Sequence, residues 1–265
     1  MDKFEVSIQQ EVLKMMKKTL RLSMLMKLKL PIKTSFRSSF LRNLPFALSF
    51  IIVVFGRFAY AAQFDTSLLP SLSAAEMQSA IDDGLDINNT LPDGSTLLML
   101  AAAQSSFPVV ETLIQNGANV NASDYLDNTV LINAAQFNPD EQIISLLISH
   151  GAVVDAANKS GGTALLYAAN LNPNISVIKK LLDAGADANH QDGSKITPLI
   201  AAVTTSVSPK KRNNAEVVKL LLDAGANPHN YYKEVRALDY AQNNPNLKYS
   251  PALQYLKDAM WNWNK

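Results

Sequence analysis

The sequence predicts an all-α fold: a helical solenoid of about four full two-helix repeats with a capping unit at each end, preceded by a signal segment. Three observations carry this. Two short words recur in phase four times, about 34 residues apart. An apolar stripe of helical period lies between them in every unit. A basic leader with an uncharged run of thirteen residues precedes them all.

Leu44 to Gly56 reads LPFALSFIIVVFG, thirteen residues without a charge. A membrane-spanning helix needs about twenty, so the run suits the apolar core of a secretory signal instead. Nine Lys/Arg precede it between Lys14 and Arg42, and no acid falls between Glu11 and Asp65. Ala59-Tyr60-Ala61 places small residues at −3 and −1 of a cleavage site, so the mature chain is expected to begin at Ala62. The basic part is longer than usual, and Arg57 follows the apolar run. A true start at Met24 or Met26 would account for the length; an uncleaved anchor or an organellar presequence are the alternatives. The expected organisation is a signal or targeting segment over 1–61, a linker over 62–71 and a repeat domain over 72–262.

The formal charge of +1 hides an asymmetry. Residues 1–61 hold eleven Lys/Arg and three acids, leaving thirteen bases against twenty acids in 62–265, a net of −7. An acidic body lacks the basic face that releases phosphate counterions, so nucleic acid is not an expected partner. The chain has no cysteine, which removes disulfides, thiol catalysis and Cys-ligated zinc together.

The first repeated word is Thr96-Leu-Leu-Met-Leu-Ala-Ala102, then Thr129 to Ala135, Thr163 to Ala169 and Thr197 to Val203. The threonines are 33, 34 and 34 residues apart. The second is Gly117-Ala118, Gly151-Ala152, Gly185-Ala186 and Gly225-Ala226, spaced 34, 34 and 40. Each threonine should open a first helix (A) of small and apolar residues. A second helix (B) follows, with its stripe at Val109, Val110, Leu113 and Ile114; Ile143, Ile144, Leu147 and Ile148; Val177, Ile178, Leu181 and Leu182; and Val217, Val218, Leu221 and Leu222. One, three and four are the spacings of one helical face. The glycine after helix B is expected as a left-handed C-cap. Asn138-Pro139-Asp140-Glu141 reads as an N-cap with proline at the first helical position, and Asn172-Pro173 as another. Six extra residues around Ser208 to Arg212 explain the 40-residue spacing, at little cost in an exposed loop.

These words resemble the ankyrin repeat family, whose pattern is Thr-Pro-Leu-His, paired alanines and a Gly-Ala-(Asp/Asn)-x-Asn ending. The endings here are Gly117-Ala-Asn-Val-Asn121, Gly151-Ala-Val-Val-Asp155, Gly185-Ala-Asp-Ala-Asn189 and Gly225-Ala-Asn-Pro-His229. The first word departs from the family: proline occurs only at Pro198, and Met99, Ile132, Leu166 and Ile200 replace the histidine. In the family that histidine ties helix A to neighbouring loops, so its loss implies a greasier, less rigid stack. Ser73-Ala-Ala-Glu76 is a capping box opening a helix to Asp82, and Gly84-Leu-Asp-Ile-Asn88 echoes the ending, giving a partial first unit over 72–92. Ala237 to Ala241 and Pro251 to Trp261 read as a degenerate last helix pair.

The sequence offers no chemistry. His150 falls at a helix C-terminus, where a cation is favoured, and His190 and His229 fall in turns; no ligand spacing for a metal exists. No nucleophile elbow, zinc-protease, phosphate-loop or dinucleotide pattern occurs. No catalytic residue, cofactor or small-molecule substrate is expected. Lys210-Lys211-Arg212 reads as a solvated loop rather than a phosphate or nuclear-import patch. Four Asn-x-Ser/Thr sequons, at Asn88, Asn121, Asn158 and Asn174, matter only in a glycosylating secretory pathway.

The resemblance implies a non-catalytic scaffold that binds a partner protein through a concave face of hairpin tips and helix A. Its positions map to Tyr125 and Leu126 at one tip, and Asn133, Gln136, Phe137, Tyr167 and Asn170 along the helices. Aromatics flanked by amides suit an interface centre; the alternative is that Phe137 or Tyr167 packs between repeats. With the leader, the reading is an exported, periplasmic or secreted protein with no membrane contact beyond the N-terminal segment, or an inner-membrane-anchored one. A secreted effector acting on a host protein, and an accessory subunit of an enzyme, are the other readings.

Overall fold

The computed structural model describes residues 66–82, 84–204 and 214–263. The expected leader, its Ala61–Ala62 junction, residues 62–65 and the Ser208–Arg212 insertion lie outside them. Among the described residues there are eleven α-helices and one small hairpin. After a 3-10 turn at Thr66–Ser71 come α1 (Ala74–Asp82), α2 (Leu97–Gln104), α3 (Phe107–Gln115), α4 (Val130–Phe137) and α5 (Glu141–Ser149). Then follow α6 (Ala164–Leu171), α7 (Ile175–Asp183), α8 (Pro198–Thr204) and α9 (Asn214–Asp223). The hairpin β1 (Tyr231–Tyr232) and β2 (Val235–Arg236) leads into α10 (Ala237–Asn243) and α11 (Ala252–Asn262).

None of these helices exceeds eleven residues, and isolated helices that short are marginal in water. Stacking supplies the stability. The A helices α2, α4, α6, α8 and α10 pack in one row, and the B helices α1, α3, α5, α7, α9 and α11 in a second. Between the rows runs one continuous core. From helix B it takes Val109, Val110 and Leu113, Ile143, Ile144 and Leu147, Val177, Ile178 and Leu181, and Val217, Val218 and Leu221, all fully buried. Each such side chain is worth about 1.5–3 kcal/mol on burial. From helix A come the paired alanines, small enough to let neighbouring helices approach, and Met99, Ile132, Leu166 and Ile200.

Each predicted threonine cap is present. The hydroxyls of Thr96, Thr129, Thr163 and Thr197 accept from the backbone N–H three residues on. At the end of helix B, Gly117 N–H donates to Ile114 O and Ala118 N–H to Leu113 O. This Schellman pair needs a left-handed residue, and Gly117 has φ +88°. Gly84, Gly151, Gly185 and Gly225 repeat the arrangement.

Two expectations need correction. Asn138 and Asn172 do not cap helix B; Asp140 and Asn174 do, each accepting from the N–H two residues on. The asparagine before each proline is buried instead. Asn138 Nδ2 donates to Ala102 O and Ser105 O, and Asn172 Nδ2 to Ala135 O and Asn138 O. Orphan carbonyls at the end of the preceding A helix claim the carboxamide, so helix B begins after the proline. The second correction concerns the linker. Residues 66–71 pack on α2, with Leu69 fully buried and its carbonyl accepting from Ser105 Oγ. This turn stands where a helix A of the first unit would stand, so the described repeat body begins at Thr66.

The capping box holds: Ser73 N–H donates to Glu76 Oε2, and Glu76 N–H to Ser73 Oγ. Those bonds hold the Glu76 carboxyl below its ordinary range. At the other end, α10 and α11 form the expected last pair.

Candidate functional site

Helices α2, α4, α6 and α8 are each preceded by a five-residue tip, spanning Leu91–Ser95, Asp124–Asn128, Asn158–Gly162 and Asp192–Ile196. In each the first N–H donates to the fifth carbonyl, and the fourth N–H to the first carbonyl. The fourth residue is left-handed: Gly94, Asp127, Gly161 and Lys195, at φ +84°, +60°, +81° and +63°. In three tips the first side chain, Asp124, Asn158 or Asp192, accepts the N–H groups of residues three and five. Neighbouring tips join in one register: Tyr125 N–H donates to Asp93 O, Lys159 N–H to Leu126 O and Gly193 N–H to Ser160 O.

A second ladder crosses the repeat endings. Asn88, Asn121 and Asn189 each donate Nδ2 to the carbonyl of the next unit's glycine, Gly117, Gly151 and Gly225. Their Oδ1 atoms accept from Asn119, Val153 and Asn227 N–H. Asp155 keeps the accepting half, from Asp187 N–H, and as a carboxylate it has no N–H for the other. Together with buried Asn138 and Asn172, these ladders supply the inter-unit ties that the missing histidine would make. They also engage the sequons. The carboxamide nitrogens of Asn88, Asn121, Asn158 and Asn174 each donate a hydrogen bond.

The tip ladder borders one face: the tips and the outward side of the A row. Helices α2, α4, α6 and α8 contain no charged residue. Tyr125 and Leu126 stand on the second tip, 65% and 63% exposed. The Tyr125 ring lies over Gly94 of the preceding tip, so closely that a Cβ there would meet Cδ1 at 2.7 Å. Asn133 and Gln136 are half-buried along α4, and Phe137, 58% exposed, ends it, about 12 Å from the tip at 1.5 Å per residue. Leu171 stands at the matching position of α6, 40% exposed. Sequence reasoning passed over it, although its place eight residues after the helix A threonine gives the signal.

Tyr167 behaves differently. Its ring packs on Gly162, where a Cβ would come within 2.6 Å, and its hydroxyl accepts from Asn158 Nδ2 at 2.8 Å. It braces its own tip. Asn170 is half-buried one position before Leu171. The expected patch is thus two exposed apolar groups, Tyr125 with Leu126 and Phe137 with Leu171, bridged by amides.

The histidines have structural surroundings. His150 caps α5 and donates Nδ1–H to Leu146 O, while His190 donates Nε2–H to Gly161 O across units. His229 Nε2 is buried without a partner. Among the described residues no three His, Asp or Glu are grouped to hold a metal, and no helix is long and apolar enough to cross a membrane. Shallow depressions on the B side, one around Glu141, Ser145 and Lys180 and one around Glu216, Lys219 and Tyr255, do not coincide with the tip face.

Comparison with protein families matches one model, described as ankyrin repeats (3 copies), at residues 59–158, 98–192 and 165–260. A comparison with curated proteins gives no match.

Proposed function

The chain belongs to the ankyrin repeat family, whose repeats form protein–protein interaction domains, and from that premise we propose that it is a non-catalytic scaffold docking one partner protein on its tip and helix A face. One observation carries the choice of face: Tyr125, Leu126 and Phe137 are large, apolar and more than half exposed beside helices that bear no charge. Interfaces have uncharged, aromatic-rich centres, and a few such anchors dominate binding. Asn133, Gln136, Asn170 and the edge of Tyr167 supply amide and hydroxyl groups around them.

The partner is met after export. The uncharged run Leu44–Gly56, the basic stretch before it and Ala59-x-Ala61 support a cleaved signal and a periplasmic or secreted mature chain. Expressed in a Gram-negative host, the full chain should yield a periplasmic protein beginning at Ala62 by mass spectrometry. An intact leader in the cytosol would refute export. Envelope proteins retained by the wild-type chain should be lost with Y125S/F137S; equal retention would refute the choice of face.

A further inference from the structure

The net charge of the body is divided unevenly along the stack. From Ala62 to Asn158 there are twelve Asp/Glu and no Lys or Arg; the first base after Arg57 is Lys159. From Lys159 to Lys265 there are thirteen Lys/Arg and eight Asp/Glu. The first half therefore carries −12 and the second +5.

In the first half four of the acids stand at the ends of the uncharged A row. Asp93, Asp124 and Asp127 lie on the first two tips, and Asp140 follows the far end of α4. The Ser95 N–H bonded to Asp93 holds that carboxyl below its ordinary range, so it stays ionised. Tyr125, Leu126 and Phe137 thus sit in a neutral strip with three acids on the tip side and Asp140 beyond its far end. At the third tip the border changes sign, for Lys159 is there and its ammonium donates to Tyr125 O.

We propose that the partner is a cationic polypeptide surface, with an apolar centre flanked by lysines or arginines, bound over the first three units. This rests on the assignment of the tip and helix A face above. Charge complementarity identifies the occupant: a half that carries −12, with Asp93, Asp124 and Asp127 on the tips themselves, attracts and orients a basic surface and rejects an acidic one. The apolar strip supplies the contact that holds it, so affinity depends on both.

The test uses the full chain and a phage-displayed library of random 16-residue peptides. Selection runs in parallel on wild type, on D127K and on Y125S/F137S. Lys195 already occupies the tip position of Asp127 with the same left-handed φ, so a lysine is accommodated there. Should D127K melt early, D127N replaces it. Peptides recovered on wild type should carry at least twice the Lys/Arg fraction of those from the charge-reversed chain. They should bind either variant at least tenfold more weakly, and should weaken in 0.5 M salt. Neutral or acidic peptides lost only on Y125S/F137S would overturn the cationic partner while leaving the face intact. Peptides indifferent to both variants would overturn the face as well. Equal pools from all three chains, empty ones included, would overturn the proposal.

Discussion

Asn172 shows what a single side chain does in this stack. Its carboxamide spans two units, and both of its N–H groups end on carbonyls at 2.8 Å in a site sealed from water. Replacing it by alanine strands those carbonyls, and a buried polar group left unpaired costs about 1–3 kcal/mol. Asn172→Ala should lower unfolding stability by about 3 kcal/mol, measured by urea titration. Asp155 gives the opposite case. Asp155→Asn adds the amide that Asn88, Asn121 and Asn189 already use, so it should raise stability, by about 0.5 kcal/mol for an exposed bond. Nothing in the local pattern signals the buried role of Asn172. An asparagine before a proline reads equally well as a cap, and only the carbonyls of the previous helix, brought close by folding, decide between the two. Tyr167 is a similar case: its register placed it on the binding face, and Gly162 and Asn158 draw it into the tip.

Elements were more legible than residues. Threonine caps, the helix B stripe and the left-handed glycines are local or periodic features, and all are present as read. The 3-10 turn at Thr66–Ser71 was not legible. It carries neither repeated word, and its place is set by Leu69 packing on α2. The capping box of α1 offers a test at this scale. Glu76 is depressed below its ordinary 4.5 by the Ser73 N–H and hydroxyl. A depressed carboxyl contributes stability above its unfolded pKa and loses it as pH falls through the folded value. In wild type that contribution should therefore fade below about pH 4.5. Glu76→Gln, which removes the charge and leaves Ser73 in place, should cost about 0.5 kcal/mol at pH 7, and the difference from wild type should shrink between pH 5 and pH 3 in thermal melts. A difference constant with pH would contradict the role given to Glu76.

At the scale of the molecule, the repeat period fixed the architecture because every unit contacts mainly its neighbours. The terminal units depart from the pattern for the same reason: among the described residues each has one neighbouring unit and closes the core. What periodicity cannot convey is the outward surface, whose residues are under no packing constraint. There the exposed Tyr125, Leu126 and Phe137, and the split of charge at Lys159, are what the proposed face and the proposed chemistry of its partner rest on. The central claim is that this face, and not the B side, carries the interaction. The direct measurement places benzoyl-phenylalanine singly at Tyr125, Phe137, Ser145 and Lys180 of the full chain and irradiates living cells. Positions 125 and 137 should give the same discrete adduct with one protein, and positions 145 and 180 none. An adduct from the B-side positions alone, or no adduct at 125 and 137, would contradict the account.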